Sequence, residues 1–315
     1  MSHETIMIIG FLLAAYSVVG NDVIQTLGTF LASNSRRPWW ALWLFAGLIL
    51  SVVMLYGWWA HNGDVSYGRL ANIPLPGQLS WWHILPPLVL LAVTSYGVPV
   101  STTFMVLSVF SSRQVIGEMV LKSVLGYGVA FIVAMAIYWA IARRFENRNH
   151  PEYENINPNF WMAAQWCATG FLWSQWLIQD FANIFVYLPR QLSLAQILGA
   201  LGFLLILLAV IFRMRGGKIQ EIVENKANTE NLRSATLIDL TYGVVLYFFT
   251  AINPIPMSTT WTFVGILAGR EYAISLLLKN RKISQTHNMV FGDLARVNLG
   301  LAISIVLAFI IRSLG

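Results

Sequence analysis

The chain has 315 residues, 57% of them hydrophobic and 11% charged, with a formal net charge of +6 and one cysteine. Soluble domains carry about 25% charged residues, so a soluble domain is excluded, as is a transmembrane β-barrel, whose strands alternate apolar and polar side chains. A lone Cys167 excludes an intrachain disulfide and a cysteine-based metal site.

Apolar runs of about 20 residues, the length a helix needs to cross a bilayer, recur along the chain. They imply an all-α polytopic membrane protein, multi-pass in a cell (inner or plasma) membrane, with lipid as a partner. The positive charge is read as a Lys/Arg bias of cytoplasmic loops rather than a nucleic-acid-binding face, and no nucleic acid is expected as a partner. Trp39-Trp40, Trp58-Trp59 and Trp81-Trp82 stand near ends of runs, as interfacial anchors do. Met1-Ser2-His3-Glu4 lacks a basic region, so the first run is read as a retained span.

In chain order, the first segment covers Thr5 to Ala32 and is predicted to be interrupted at Gly20-Asn21-Asp22. Trp39 to Ala60 is a clean span. A polar loop, His61 to Ser80, precedes a long segment from Trp81 to Phe110, predicted to break at Tyr96-Gly97-Val98-Pro99. Gly117 to Ala142 follows, then a charged connector. The order then repeats. Phe160 to Leu188 is interrupted at Gln179-Asp180, and Leu194 to Phe212 is clean. A charged loop, Arg213 to Arg233, leads to Ala235 to Leu267, broken at Asn253-Pro254-Ile255-Pro256. A basic loop, Arg270 to His287, precedes the last span.

Two polar motifs recur at nearly one offset. Asp22 and Asp180 are 158 residues apart; Ser101-Thr102-Thr103 and Ser258-Thr259-Thr260 are 157 apart. Helix packing by Ser and Thr explains one such triplet but not two in register. The reading is a duplication: a first repeat at 1–145, a cytoplasmic connector at 146–159 and a second repeat at 160–315. If each third segment is a re-entrant pair, each half has five crossings, about ten membrane elements in all, and the halves are inverted. With the N-terminus outside, only Arg69, Arg113, Arg190 and Arg312 lie outside, while Arg36, Arg37, Arg143, Arg144, Arg213, Arg270 and others lie inside, as the positive-inside rule requires.

Inverted repeats with broken helices are the pattern of secondary transporters, whose breaks meet near the bilayer midplane. A carboxylate at that depth costs about 2.5–3.5 kcal/mol and is kept next to water, an ion or a partner. Asn21, Asp22, Gln179 and Asp180 are therefore candidates for a coupling cation: Na+ suits the hard oxygen donors, with Asp22 and Asp180 as metal ligands, and H+ is the competitor. A Pro followed by Ser/Thr is how a half-helix starts, and its free NH groups bind an oxyanion. Ser101, Thr102, Thr103, Ser258, Thr259 and Thr260 are thus the candidate anion site. Glu118 and Lys122, four apart, are read as a helix-surface pair, as are Asp293 and Arg296. No P-loop and no Gly-x-Ser-x-Gly is present, so an enzyme is not expected, nor a cofactor beyond the coupling ion.

Asn21-Asp22-Val23 with Gly28-Thr29, the later Pro99-Val100-Ser101-Thr102-Thr103, Asp180-Phe181-Ala182-Asn183 and Pro256-Met257-Ser258-Thr259-Thr260 together resemble the inorganic phosphate transporter (PiT) family, as a divergent bacterial-type member. The resemblance covers both halves. It implies cation-coupled phosphate uptake, with Asn21, Asp22 and Asp180 at the cation, the two triplets around the anion, and Gln25 and Asn183 nearby. The chain departs from the family pattern at Gln179, where Asn is usual, at Ile24-Gln25 in place of Ala-Asn, and at Phe104 and Trp261, where His commonly follows the triplet. Sulfate is a second substrate, since some members of the family carry it. A non-transporting anion-binding membrane protein and a passive channel are the other classes. A homodimer is one assembly considered, and the sequence does not give the oligomer.

Overall fold

The structure, a computed structural model, describes residues 2–75, 77–95, 100–145, 157–215, 232–278 and 282–314. Its helices are α1 (His3–Ser33), α2 (Trp39–Ala60), α3 (Leu85–Ser95), α4 (Arg113–Phe145), α5 (Pro158–Phe185), α6 (Leu194–Arg213), α7 (Leu232–Ile252), α8 (Thr259–Leu278) and α9 (Ile283–Leu314), with a short 3-10 turn at Trp81–Ile84 and a π-type turn at Thr103–Leu107. Seven of these described helices are long and apolar enough to cross a membrane. The chain is thus an all-α polytopic membrane protein.

Local chemistry sets several starts. Ser2 accepts from Thr5 N at the head of α1. Asn157 does the same from Phe160 N ahead of α5, where Pro158 takes a first-turn position that needs no NH. Ser193 and Gln196 form a reciprocal capping box on α6.

The central helices are α1 and α5, whose later turns are buried nearly all round. α5 packs along α7, α8 packs most extensively along α4, and α2 lies against α5 and α6. The α4–α8 approach depends on Gly265 and Gly269, spaced as a small-xxx-small motif. A Cβ at Gly265 would lie 2.5 Å from the carbonyl oxygen of Tyr127, and one at Gly269 would collide with that of Phe131. On the outer helices the exposed side chains are apolar: Leu44, Leu48, Val52, Tyr56 and Trp59 form one stripe down α2. In water such a stripe would be costly; against lipid tails it is the expected face. In each tryptophan pair one ring is exposed, Trp40, Trp59 or Trp81, and its neighbour is half-buried.

Two predicted interruptions are corrected. α1 runs unbroken through Gly20-Asn21-Asp22, and α5 through Gln179-Asp180. Their polar side chains find partners on other elements, so the helices need not unwind. The basic loop expected from Arg270 is also shorter. α8 continues to Leu278, and Arg270 is buried in it, paired with Glu271 at 2.7 Å and lying over the Tyr138 ring. The break at 253–258 is present between α7 and α8. The predicted break at 96–99 and most of the connector at 146–159 lie outside the described residues.

The loop from His61 to Ser80 folds inward at one end of the molecule. Asp64 knots it by accepting from Ser66 N, Ser66 Oγ and Gly68 N at 2.6–2.8 Å. Gly68 has φ +75° and Gly63 φ +99°, backbone turns that glycine adopts without strain. Val65, Ser66, Arg69, Leu70 and Ile73 are buried, so this loop caps the helix bundle.

Candidate functional site

α1 carries Asn21 and Asp22 to the centre of the bundle. Asp22 accepts from Asn21 Nδ2 through one oxygen, at 2.6 Å, and from Thr102 Oγ1 through the other, at 2.5 Å. Asn21 Nδ2 also donates to the Val100 carbonyl at 3.0 Å, and its oxygen accepts from Thr94 Oγ1 at 3.3 Å. α5 brings Asp180 to the same region. It accepts from Asn183 Nδ2 at 2.6 Å and from Thr259 Oγ1 at 2.8 Å. Asn183 Nδ2 reaches further, to Thr102 Oγ1 at 3.1 Å and Thr103 Oγ1 at 3.2 Å. The two carboxylates are therefore linked through Thr102 and Asn183. Both are fully buried, and hydrogen bonds to a charged group contribute about 1.5–3 kcal/mol each. Four such bonds are of the size needed to hold two carboxylates at this depth when a cation or proton also attends them.

The two Ser-Thr-Thr triplets meet across this point. Thr103 Oγ1 donates to the Met257 carbonyl at 3.1 Å, and Thr260 Oγ1 to the Val100 carbonyl at 3.4 Å. Each third-position Thr thus reaches the residue just before the other triplet. Ser101 Oγ accepts from Phe104 N, and Ser258 Oγ from Trp261 N, so both serines act as caps. Thr259 opens α8, whose first NH groups lack intrahelical acceptors by construction. Phe104 and Trp261 face each other with ring centroids 6.3 Å apart, edge to face.

Every candidate residue of the sequence reading is buried: Asn21, Asp22, Gln25, Ser101, Thr102, Thr103, Gln179, Asp180, Asn183, Ser258, Thr259 and Thr260 are all at most 8% exposed. They do not all converge. Gln179 Nε2 turns to α7, donating to Thr250 Oγ1 at 2.8 Å and the Leu246 carbonyl at 3.4 Å, and makes no bond to Asp180. Gln25 makes no hydrogen bond to a described residue, although it occupies on α1 the position of Asn183 on α5. The hydroxyls of the triplets all have protein partners.

Oxygen ligands suit a hard cation, and the two carboxylates supply them; the amide nitrogen and the Thr hydroxyl beside each one donate hydrogen bonds to it. Asn183 Oδ1 and Gln179 Oε1 are buried acceptors without a partner among the described residues. An oxygen left so is costly unless a cation or a donor meets it.

Several participants were not anticipated. The carbonyls of Val100 and Met257 and the hydroxyl of Thr94 carry no sequence signal. Tyr242 OH donates to the Thr259 carbonyl at 2.8 Å, and Ser258 N donates to Ser123 Oγ at 2.8 Å. Asp239 on α7 is a third fully buried carboxylate, held by Thr29 of α1 and Thr169 of α5. Its signal was an Asp inside an apolar run, the same kind that marks Asp22. The Glu118–Lys122 pairing is corrected: Gln114 donates to Glu118 at 3.1 Å, while Lys122 turns into the bundle and holds residues 253–255. Asp293 and Arg296 do pair, at 3.2 Å.

No protein-family model matches the chain, and no curated protein matches it. Among solved structures, one titled "The sodium-dependent phosphate transporter" superposes with a TM-score of 0.67 over 98% of this chain and 99% of that one, at 16% sequence identity. At that identity the likeness shows the fold: this chain is built as that transporter is, end to end.

Proposed function

We propose that this protein is a secondary active transporter of inorganic phosphate or another tetrahedral oxyanion such as sulfate, coupled to Na+ or H+. The observation that carries the reading is the convergence of Asp22, Asp180 and both Ser-Thr-Thr turns at one buried point, in a chain with a phosphate transporter's fold. The halves 1–145 and 160–315 act as inverted repeats. The reciprocal bonds from Thr103 to Met257 and from Thr260 to Val100 support that reading, since a two-fold relation makes i meet j and j meet i.

Electrostatics makes coupling obligatory. Two carboxylates and an oxyanion in one buried site repel each other. At an effective dielectric of about 20, charges about 6 Å apart repel by about 3 kcal/mol per pair. The anion enters only when cations or protons offset the carboxylates. Asp22 with Asn21 and the Val100 carbonyl holds one; Asp180 with Asn183 holds the other. The first NH groups of α8 and the 101–103 turn take the anion. Rocking of one half against the other then exposes the site to each side in turn. Because Gln179 faces α7 and Asn183 approaches Asp180 instead, the Asp180 site has a different geometry, which favours a proton or a differently ligated cation there.

Proteoliposome uptake of labelled phosphate and sulfate tests this, with Na+ and pH gradients imposed separately. The expected result is saturable accumulation driven by at least one gradient. Flux indifferent to both gradients would mean a passive channel; binding without uptake would mean a non-transporting anion binder.

A further inference from the structure

Arg69 is 3% exposed, and its guanidinium makes one hydrogen bond among the described residues, a long one of 3.5 Å to the Pro254 carbonyl. Its Nε is buried and has no partner. A guanidinium offers five NH donors, so nearly all of its capacity is idle in a place without bulk water. Arg190, at the same end of the molecule, shares the unpartnered Nε, but its terminal nitrogens donate to the carbonyls of Val186, Leu188 and Ile73 at 2.7–3.1 Å.

Lys122 lies beside Arg69 on the same stretch. It is 6% exposed, and its Nζ donates to Asn253 O at 3.0 Å, Asn253 Oδ1 at 2.8 Å and Ile255 O at 2.7 Å. Two buried cations therefore hold three consecutive carbonyls, and neither forms an ion pair with a described carboxylate. Capping the negative end of α7 accounts for Lys122, whose three donors are all used. It leaves the idle donors of Arg69 unexplained. Burial pushes the Arg69 guanidinium down to about 10, with the charge of Asp180 opposing that fall, so it stays a cation at neutral pH.

We propose that Arg69, with Lys122 behind it, forms a second oxyanion site between the 61–80 loop and the 253–255 turn. The ligand class is a tetrahedral oxyanion, phosphate or sulfate. The guanidinium charge attracts it, and the guanidinium fork matches two of its oxygens. Ser258 follows the turn by three residues, so the site is a waiting position on the route to the triplets. That role rests on the transport reading; the binding site itself does not.

Equilibrium dialysis of the detergent-purified full chain with labelled inorganic phosphate, and separately sulfate, tests it. Wild-type protein should bind two anions per chain. Arg69→Gln should bind one, and the double variant Thr103→Val/Thr260→Val should keep the Arg69-dependent one. Arg69→Lys, which keeps a single-headed cation, should hold the second anion about tenfold more weakly, and it stands in if Arg69→Gln does not fold. One anion that survives Arg69→Gln and is lost in the Thr double variant would overturn this site and leave the central one. One anion lost in Arg69→Gln and kept in the Thr double variant would sink the central reading and leave this site. No binding would overturn both. Competitive displacement of the Arg69-dependent phosphate by added phosphatidylglycerol would show a lipid headgroup site and overturn the proposal of a free anion.

Discussion

Asp22 and Asp180 stand 158 residues apart at corresponding places on α1 and α5, yet different amides hold them. Asp22 is held by the residue before it, Asn21, which also grips the Val100 carbonyl. Asp180 is held by the residue three positions after it, Asn183, which also grips Thr102 and Thr103. The matching positions are vacated in each case: Gln179 turns to α7, and Gln25 bonds no described residue. Each carboxylate keeps one amide and one Thr hydroxyl, so the pattern is conserved in number while the side of approach changes. The two carboxylates thus keep the same number of partners while being approached from unlike sides.

The largest effect should come from removing either charge. Asp22→Asn and Asp180→Asn each turn a double acceptor into a group with one acceptor oxygen, and gradient-driven uptake should fall by about a hundredfold, the worth of about 3 kcal/mol. Equal losses keep the two carboxylates as partners; a loss at only one would break the comparison. Next, the amides should separate. Asn21→Gln should weaken apparent cation affinity by about tenfold, because the longer side chain cannot hold Asp22 and Val100 together. Gln179→Asn should change it by less than about threefold, since Gln179 bonds α7 and not Asp180. Titrating uptake against Na+ or pH reads both.

Two glycines of the second half also differ in packing. A Cβ at Gly269 would strike the Phe131 carbonyl, whereas one at Gly300 would meet Val100 at ordinary contact, 3.4 Å. Gly269→Ala should destabilise the protein by about 1–3 kcal/mol and Gly300→Ala by less than about 0.5 kcal/mol, read as thermal midpoints in detergent. The smallest effect belongs to Gln25→Ala, with uptake within about twofold of wild type, against a loss of about tenfold for Asn183→Ala at the corresponding position.

The residue types at the site were legible in the sequence, because a buried carboxylate and a Pro-led Ser/Thr triplet are local signals. What those residues touch was not. Hydropathy reads Gly20-Asn21-Asp22 as an interruption, but the helix survives because Val100 and Thr102, about 80 residues on, satisfy the side chains. The spacing of Glu118 and Lys122 suggested a surface pair; the helix face instead turns Lys122 to carbonyls 131–133 residues away. Arg69 looked like an ordinary loop charge, and its burial depends on the inward fold of 61–80, which no local pattern announces.

The central claim is that both triplets surround one oxyanion beside two cation-bearing carboxylates. The most direct measurement is an experimental density map of the protein at saturating phosphate and Na+. The account predicts a tetrahedral peak within hydrogen-bond reach of the 101–103 turn and the first NH groups of α8, with ion density at Asp22. Closed contact of Thr103 with Met257 and of Thr260 with Val100, unchanged and with no anion between the turns, would contradict it.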